Sequence, residues 1–149
     1  NGLGWAYAKL MVLDSSIDNF ITGLGKPQDK WNPTDIHSEI LAGLTFAYHA
    51  KGIDKKTIEY GRAFLDSTVK PLKAGWVFAH DSLLNYLDVR ITLAASYFSV
   101  GKFDSASLNV QIVLDSLNSS VIAVSDTSLE GRQKMAEQIS ALQISLLKQ

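Results

Sequence analysis

Three stretches of the chain repeat one arrangement of apolar, small and aromatic positions. They are residues 2–24, 42–65 and 92–114. When the stretches are aligned on Tyr7, Tyr48 and Tyr97, each has a leucine four residues before the tyrosine and another seventeen residues after it. Similarity at such intervals is the signature of a repeat architecture. The pattern therefore predicts a structural unit that recurs three times along the chain.

Each unit is predicted to be a pair of antiparallel helices, because small residues occupy the positions where two helices would cross. The small residues three before the tyrosine are Gly4, Thr45 and Ala94, and those nine after it are Ser16, Thr57 and Ala106. Small side chains allow two helix backbones to approach closely. Ala94 and Ala106 are accordingly expected to face each other, with little solvent exposure, inside the third hairpin.

A tight turn is predicted between the two helices of each pair. Gly52 and Gly101 stand four residues after their tyrosines, and glycine is the residue at which helices most often end. Met11 occupies the same position in the first unit. An acidic residue follows each turn and is expected to cap the second helix. These acidic residues are Asp14, Asp54 and Asp104.

The two linkers between the units are long, covering residues 25–35 and 71–85. In the first linker, the Asn32-Pro33 pair suits an N-cap followed by the first helical position. The second linker contains the apolar run Trp76-Val77-Phe78. We expect it to form an ordered loop or an extended segment that packs over the core.

The last part of the chain is predicted to be a capping helix. Thr127 and Glu130 have the spacing of a capping box. One apolar stripe follows at helical spacing, opposite a polar face. It consists of Met135, Ile139, Leu142 and Leu146. We therefore predict a single all-α domain over residues 1–149, with hairpins at approximately 1–24, 33–69 and 85–117 and a capping helix at approximately 126–148.

The charge balance argues against a nucleic-acid partner. The chain has 14 Lys and Arg residues against 15 Asp and Glu, which gives a net charge of −1 and no basic footprint. It has no cysteine, which excludes disulfides and thiolate metal sites. No apolar run approaches the roughly 18 residues of a membrane span. The chain starts at Asn1 in what reads as mid-helix sequence, so we expect that upstream residues are missing.

The best-defined repeat resembles the tetratricopeptide repeat family. Its matching positions are Leu93, Ala94, Tyr97, the Gly101-Lys102-Phe103 turn, Ala106 and Leu114. The second repeat matches less fully and the first least, and the resemblance covers about three quarters of the chain. It implies a short right-handed solenoid of helical hairpins. The stretch NGLGWAYAKL, and WVFAHD followed by YLDVRITLAASYF, are similar to bacterial tetratricopeptide lipoproteins. That similarity implies a lipid anchor upstream and a periplasmic or outer-membrane location.

The resemblance also implies a site. In the family the first helix of each hairpin lines a concave groove, so positions just before and after each tyrosine point into it. The residues selected as partner-binding are Trp5, Lys9, Glu39, Phe46, His49, Asp88 and Phe98. A large aromatic at such a position is either an anchor for a partner or is buried by a neighbouring segment. The implied function is a non-catalytic module that holds a peptide or protein surface, or a structural subunit of a larger assembly.

One alternative from another class is a metal-dependent phosphohydrolase of the HD type. It would use His49, the His80-Asp81 pair and either Asp104 or Asp115, because imidazole and carboxylate groups together suit a divalent metal. The competing interpretation is that His80-Asp81 only ends the apolar segment and begins a turn. We favour that interpretation and predict no enzyme activity, no catalytic or metal-binding residue and no cofactor.

Overall fold

The computed structural model describes residues 1–26, 35–66 and 77–147 of the chain. These residues form seven α-helices and one two-stranded antiparallel hairpin, which confirms the all-α class. The elements are α1 (Gly2–Lys9), α2 (Leu13–Leu24), α3 (Asp35–Ala50), α4 (Asp54–Leu65), β1 (Val77–Phe78), β2 (Asp81–Asn85), α5 (Tyr86–Ser99), α6 (Phe103–Ser116) and α7 (Leu129–Leu146). The predicted cap at Asn32-Pro33 and the start of the second linker lie outside the described residues.

The first six helices pair in chain order. α1 packs on α2, α3 on α4 and α5 on α6, at the places where the tyrosine register predicts three hairpins. Each hairpin also contacts the next, since α2 packs on α3 and α4 packs on α5. α1, α3 and α5 are called the first helices below, and α2, α4 and α6 the second helices. The first helices contact one another in order, and α7 packs on α5 and α6.

All three hairpins use the same backbone turn. The residue four positions after the repeat tyrosine has a positive φ, which is 57° at Met11, 71° at Gly52 and 75° at Gly101. The N–H of the next residue donates to the tyrosine carbonyl at 3.0, 2.9 and 2.8 Å respectively. A left-handed residue with this hydrogen bond is the Schellman end of a helix. Glycine adopts that conformation without strain, whereas Met11 carries its cost.

The predicted acidic caps of the second helices are wrong. The residues preceding α2, α4 and α6 are Val12, Ile53 and Lys102, and none of them makes a side-chain cap hydrogen bond. The acidic residues lie inside the first turn of each helix instead. Because the Schellman turn fixes where the chain leaves the preceding helix, the cap position falls to the residue directly after it. The acids still complement the helix macrodipole.

The small residues do mark close helix crossings. A Cβ added to Gly4 would lie 2.5 Å from the ring of Phe20, and one added to Gly43 would lie 2.3 Å from the same ring. Phe20 of α2 therefore fills the space between α1 and α3. Ala94 and Ala106 are completely buried, as predicted for the third hairpin.

The capping helix is present as α7, but its N-cap lies one residue after the predicted Thr127. The N-cap of α7 is Ser128, whose hydroxyl accepts the N–H of Gly131. Asp126 also accepts both the N–H and the hydroxyl of Ser128, which holds Ser128 in the cap position. The predicted stripe is buried in full; its members are Met135, Ile139, Leu142 and Leu146. In the described part of the chain, no helix is long and apolar enough to cross a bilayer.

Candidate partner-binding site

The β-hairpin of residues 77–85 comes between the second and third helical hairpins and leads directly into α5. Asn85 accepts the N–H of Leu87 at 2.7 Å, while Asp88 accepts the N–H of Asn85 at 2.7 Å, which completes a capping box. Burial raises the pKa of Asp88. Asp88 was predicted to meet a partner; the structure places it, buried, at the start of its own helix.

An aromatic cluster lies under this β-hairpin. Phe78 is 1% exposed, and its ring centroid lies 5.6 Å from that of Trp5, 6.2 Å from Phe46 and 6.0 Å from Phe64. Trp5 is 4% exposed and also contacts Phe20 edge to face. The sequence left Trp5 as either an anchor or a residue buried by a neighbouring segment, and the structure shows it buried against Phe78 of the second linker. Phe46 is half-buried in the same cluster.

Polar contacts hold the tip of the β-hairpin against the first helices. The buried Glu39 carboxylate accepts the N–H of Ala79, lies 2.5 Å from His80 Nδ1 and accepts the Asn1 side-chain amide at 2.7 Å. Lys9 Nζ donates to the carbonyl of His80 at 3.2 Å. Lys9 and Glu39 were predicted to contact a partner, but the structure uses both to bind this internal segment.

The Lys9 ammonium also lies 3.5 Å from a carboxylate oxygen of Asp81. The β-hairpin thus presents three successive residues to α1 and α3: an amide donor, an imidazole and a carboxylate. The three contacts fix its register on the helices, while Phe78 supplies the buried apolar area. Residues 78–81 therefore contact four of the seven residues that the resemblance selects, which are Trp5, Lys9, Glu39 and Phe46.

The two histidines of the proposed metal site have different partners. His49 Nδ1 lies 3.1 Å from the hydroxyl of the buried Ser96, and burial lowers the pKa of His49. His80 contacts Glu39 instead. Across residues 1–26, 35–66 and 77–147 there is no group of three or more His, Cys, Asp or Glu side chains that could hold a metal ion. The phosphohydrolase alternative therefore gains no support from this geometry.

Phe98 lies apart from the aromatic cluster. Its ring packs edge to face against that of Phe103, the first residue of α6, with 5.4 Å between the ring centroids. Arg132 of α7 lies over the other ring of this pair, 4.8 Å from the Phe103 centroid. Of the seven predicted residues, Trp5, Lys9, Glu39 and Phe46 contact residues 78–81 of the β-hairpin, and Asp88 accepts the N–H of Asn85 at its end. The described contacts of His49 and Phe98 are with Ser96 and Phe103 instead.

Sequence reasoning missed a depression of about 230 Å³ between α4, α5 and α6. Arg62 and Arg90 line it together with the buried amide of Asn109. Arg90 donates to the Tyr86 hydroxyl at 2.8 Å and to the Asn109 side-chain oxygen at 3.1 Å. The only sequence signal was the four-residue spacing of Tyr86 and Arg90, which places both on one side of a helix.

Comparison with known proteins adds no relative to this description. No protein-family model, no curated protein and no solved structure matches the chain significantly. The contacts above are consequently the basis for any assignment of function.

Proposed function

We propose that this chain is a non-catalytic interaction module of the tetratricopeptide type, which holds a peptide or protein surface against its first helices. The observation that carries the proposal is the repeated turn. In each of the three helical hairpins, the first helix ends at a residue of left-handed conformation four positions after the tyrosine. α1, α3 and α5 also contact one another in order, which supports a common face. Arrays of such hairpins serve as extended binding surfaces.

The β-hairpin reduces the part of the first-helix surface that is free to bind a partner. It covers Trp5 of α1 and Phe46 of α3, so we place the partner on the part of the face formed by α3 and α5. Accessible side chains there are the half-buried His49 and Phe98 and the exposed Ser99. Phe98 supplies apolar area and His49 a polar contact, the combination that interface anchors commonly show.

The test is site-specific photo-crosslinking in an extract of the native organism. A photoreactive amino acid replaces Ser99 on the proposed face, and in a matched control it replaces the exposed Glu59 on the second helix α4. We expect one or a few defined adducts at position 99 and none in common with position 59. The captured protein is then purified, and its affinity is measured for the parent and for Phe98→Ala.

A loss of affinity of about 2 kcal/mol or more in Phe98→Ala is expected for an anchor residue. Identical adducts from both positions, or an unchanged affinity in a folded Phe98→Ala chain, would show that this face is not the binding surface. A permanent structural subunit and a transient partner are separated by size-exclusion chromatography of the chain isolated from its source. A subunit co-elutes at fixed stoichiometry.

A further inference from the structure

Arg90 of α5 is held in place by neutral groups on two helices. Its Nε and one terminal nitrogen donate to the Tyr86 hydroxyl at 2.8 and 2.5 Å, and its other terminal nitrogen donates to the Asn109 side-chain oxygen at 3.1 Å. Asn109 is 6% exposed, and its own amide donates to the carbonyl of Ser105 at 2.9 Å. Within residues 1–26, 35–66 and 77–147, no carboxylate forms an ion pair with Arg90.

The guanidinium of Arg90 keeps donors to spare. A guanidinium has five N–H groups, and the contacts with Tyr86 and Asn109 use three of them. One N–H therefore remains on each terminal nitrogen of the half-buried Arg90 side chain. A planar fork that is already oriented loses little conformational entropy when it binds a carboxylate or a phosphate, and these are the anions whose geometry it matches.

A second arginine lines the same depression of about 230 Å³, between α4, α5 and α6. This residue, Arg62 of α4, is exposed, and in the described part of the chain it forms no ion pair. Asp66 lines the depression one helical turn further along. Two arginines against one aspartate leave a single positive charge among the described lining residues. That excess complements a monoanion such as a carboxylate better than a phosphate dianion.

The size of the depression and the sequence beside it restrict the ligand further. Sites for whole small molecules have volumes of about 300 to 1,000 Å³, so this depression suits one chemical group of a larger ligand. Leu108, which is 62% exposed, lines it and offers apolar contact to the atoms next to that group. Residues 67–76, which follow Asp66 in the sequence, contain two lysines and no Asp or Glu, so their side chains cannot supply the carboxylate.

We propose that the depression between α4, α5 and α6 binds a carboxylate group of a partner polypeptide, from an acidic side chain or from the chain end, with Arg62 and Arg90 as its binding residues. The second helices α4 and α6 form two of its walls. None of the residues assigned above to the α3 and α5 face lines it. The carboxylate site therefore does not rest on the proposed function of that face.

The probes are short peptides titrated into the full ¹⁵N-labelled chain. One is acetyl-Leu-Glu-Leu-amide, whose only charge is a side-chain carboxylate, and one is acetyl-Leu-Gln-Leu with a free chain-end carboxylate. The neutral control is acetyl-Leu-Gln-Leu-amide, and inorganic phosphate is added at matched ionic strength. We expect saturable shifts of the amides of residues 62–66 and 105–109 and of the Arg90 Nε–H, with a dissociation constant of about 1 mM or below for a carboxylate peptide. The peptide that binds identifies the source of the carboxylate.

Three variants test the two arginines. Arg62→Gln should weaken binding about threefold, as expected for an exposed charge, and it should fold normally because the side chain it replaces is exposed. Arg90→Gln should weaken binding about tenfold or more, because the lost hydrogen bonds come from a charged and oriented donor. The matched control is Arg132→Gln in α7, which removes the same charge outside the depression and should leave binding unchanged.

The proposal is overturned if neither carboxylate peptide gives saturable shifts, if the neutral peptide binds as well, or if the shifts map to other residues. Binding of phosphate without binding of a carboxylate peptide would also overturn it. Parent-like affinity in Arg62→Gln would contradict the role of that arginine even if Arg90→Gln failed to fold. Crosslinking from position 99 should be the same in Arg62→Gln and the parent, so failure of this site and failure of the α3 and α5 face are distinguishable.

Discussion

Phe78 packs against Trp5 with 5.6 Å between ring centroids and an angle of 43° between ring planes. The contact joins the second linker to the first helix of the array. It also decides the alternative that the sequence left open for Trp5, since an aromatic residue on a first helix can serve as an anchor or be buried by a neighbouring segment. Trp5 is buried and contributes to the core of the fold.

Phe78→Ala should lower the free energy of unfolding by about 3 to 5 kcal/mol, as expected for truncation of a fully buried phenylalanine. The matched control is Leu83→Ala in the same β-hairpin, where the side chain is 81% exposed and the expected change is within about 0.5 kcal/mol. Urea denaturation followed by circular dichroism measures both. Equal effects of the two changes would contradict the packing described here.

Met11→Gly should stabilise the protein by about 1 kcal/mol, because it removes the strain of a non-glycine residue at φ 57°. The Met11 side chain is exposed, so little packing is lost. Gly52→Ala should cost a similar amount by the reverse argument, since no atom lies within 4 Å of the added Cβ and only the backbone resists. Thermal denaturation of both variants tests the equivalence of the two turns; a destabilised Met11→Gly would refute it.

Ala106→Leu should cost about 1 to 3 kcal/mol by overpacking the crossing of α5 and α6, where Ala106 has no exposed surface. The same substitution at Ala141, which is exposed on α7, should change stability by less than about 0.5 kcal/mol. Chemical denaturation of the pair gives the comparison. A parent-like Ala106→Leu would argue against the close approach of these helices.

The free energy of unfolding should fall as the pH is lowered below 6.5, the ordinary pKa of histidine, partly because of His49. Burial lowers the pKa of His49, so the unfolded chain takes up this proton at a higher pH than the folded chain does. The neutral form is favoured in the fold, and its contribution is complete above pH 6.5 and is lost on acidification. Asp54 opposes the shift.

His49→Gln removes that titration, so its free energy of unfolding should decline less between pH 7 and pH 5 than that of the parent. Urea denaturation at a series of pH values provides the measurement. If the two proteins decline in parallel, His49 is not a source of the pH dependence.

The hairpins were predictable from sequence because their determinants are local. The tyrosine register places Met11, Gly52 and Gly101 at the three turns, and a helix end needs only its own neighbouring residues to form. The apolar stripe of α7 that begins at Met135 was likewise predictable from the spacing of its residues. In contrast, the acidic caps failed because a competing local signal, the left-handed turn, fixed the cap one or two residues earlier.

The candidate site was less predictable because it depends on contacts between distant parts of the chain. Nothing near Glu39 in the sequence shows that its carboxylate accepts the N–H of Ala79 and contacts His80. The apolar run ending at Phe78 did indicate a segment packed over the core. It did not indicate which first helices the segment would cover, and this placement determines whether Trp5 is buried or exposed.

The β-hairpin also affects the order in which the helical hairpins should unfold. In a simple stack of helical hairpins each unit touches only its neighbours, so the terminal unit can fray while the remainder stays folded. Here the short helix α1 is held by residues 78–81, which are continuous with α5, so its release also requires the β-hairpin to detach. Such sequence-distant contacts raise the contact order and slow folding. We therefore expect amide protection in α1 to follow global unfolding, as in a compact domain, instead of the graded loss typical of a linear repeat protein.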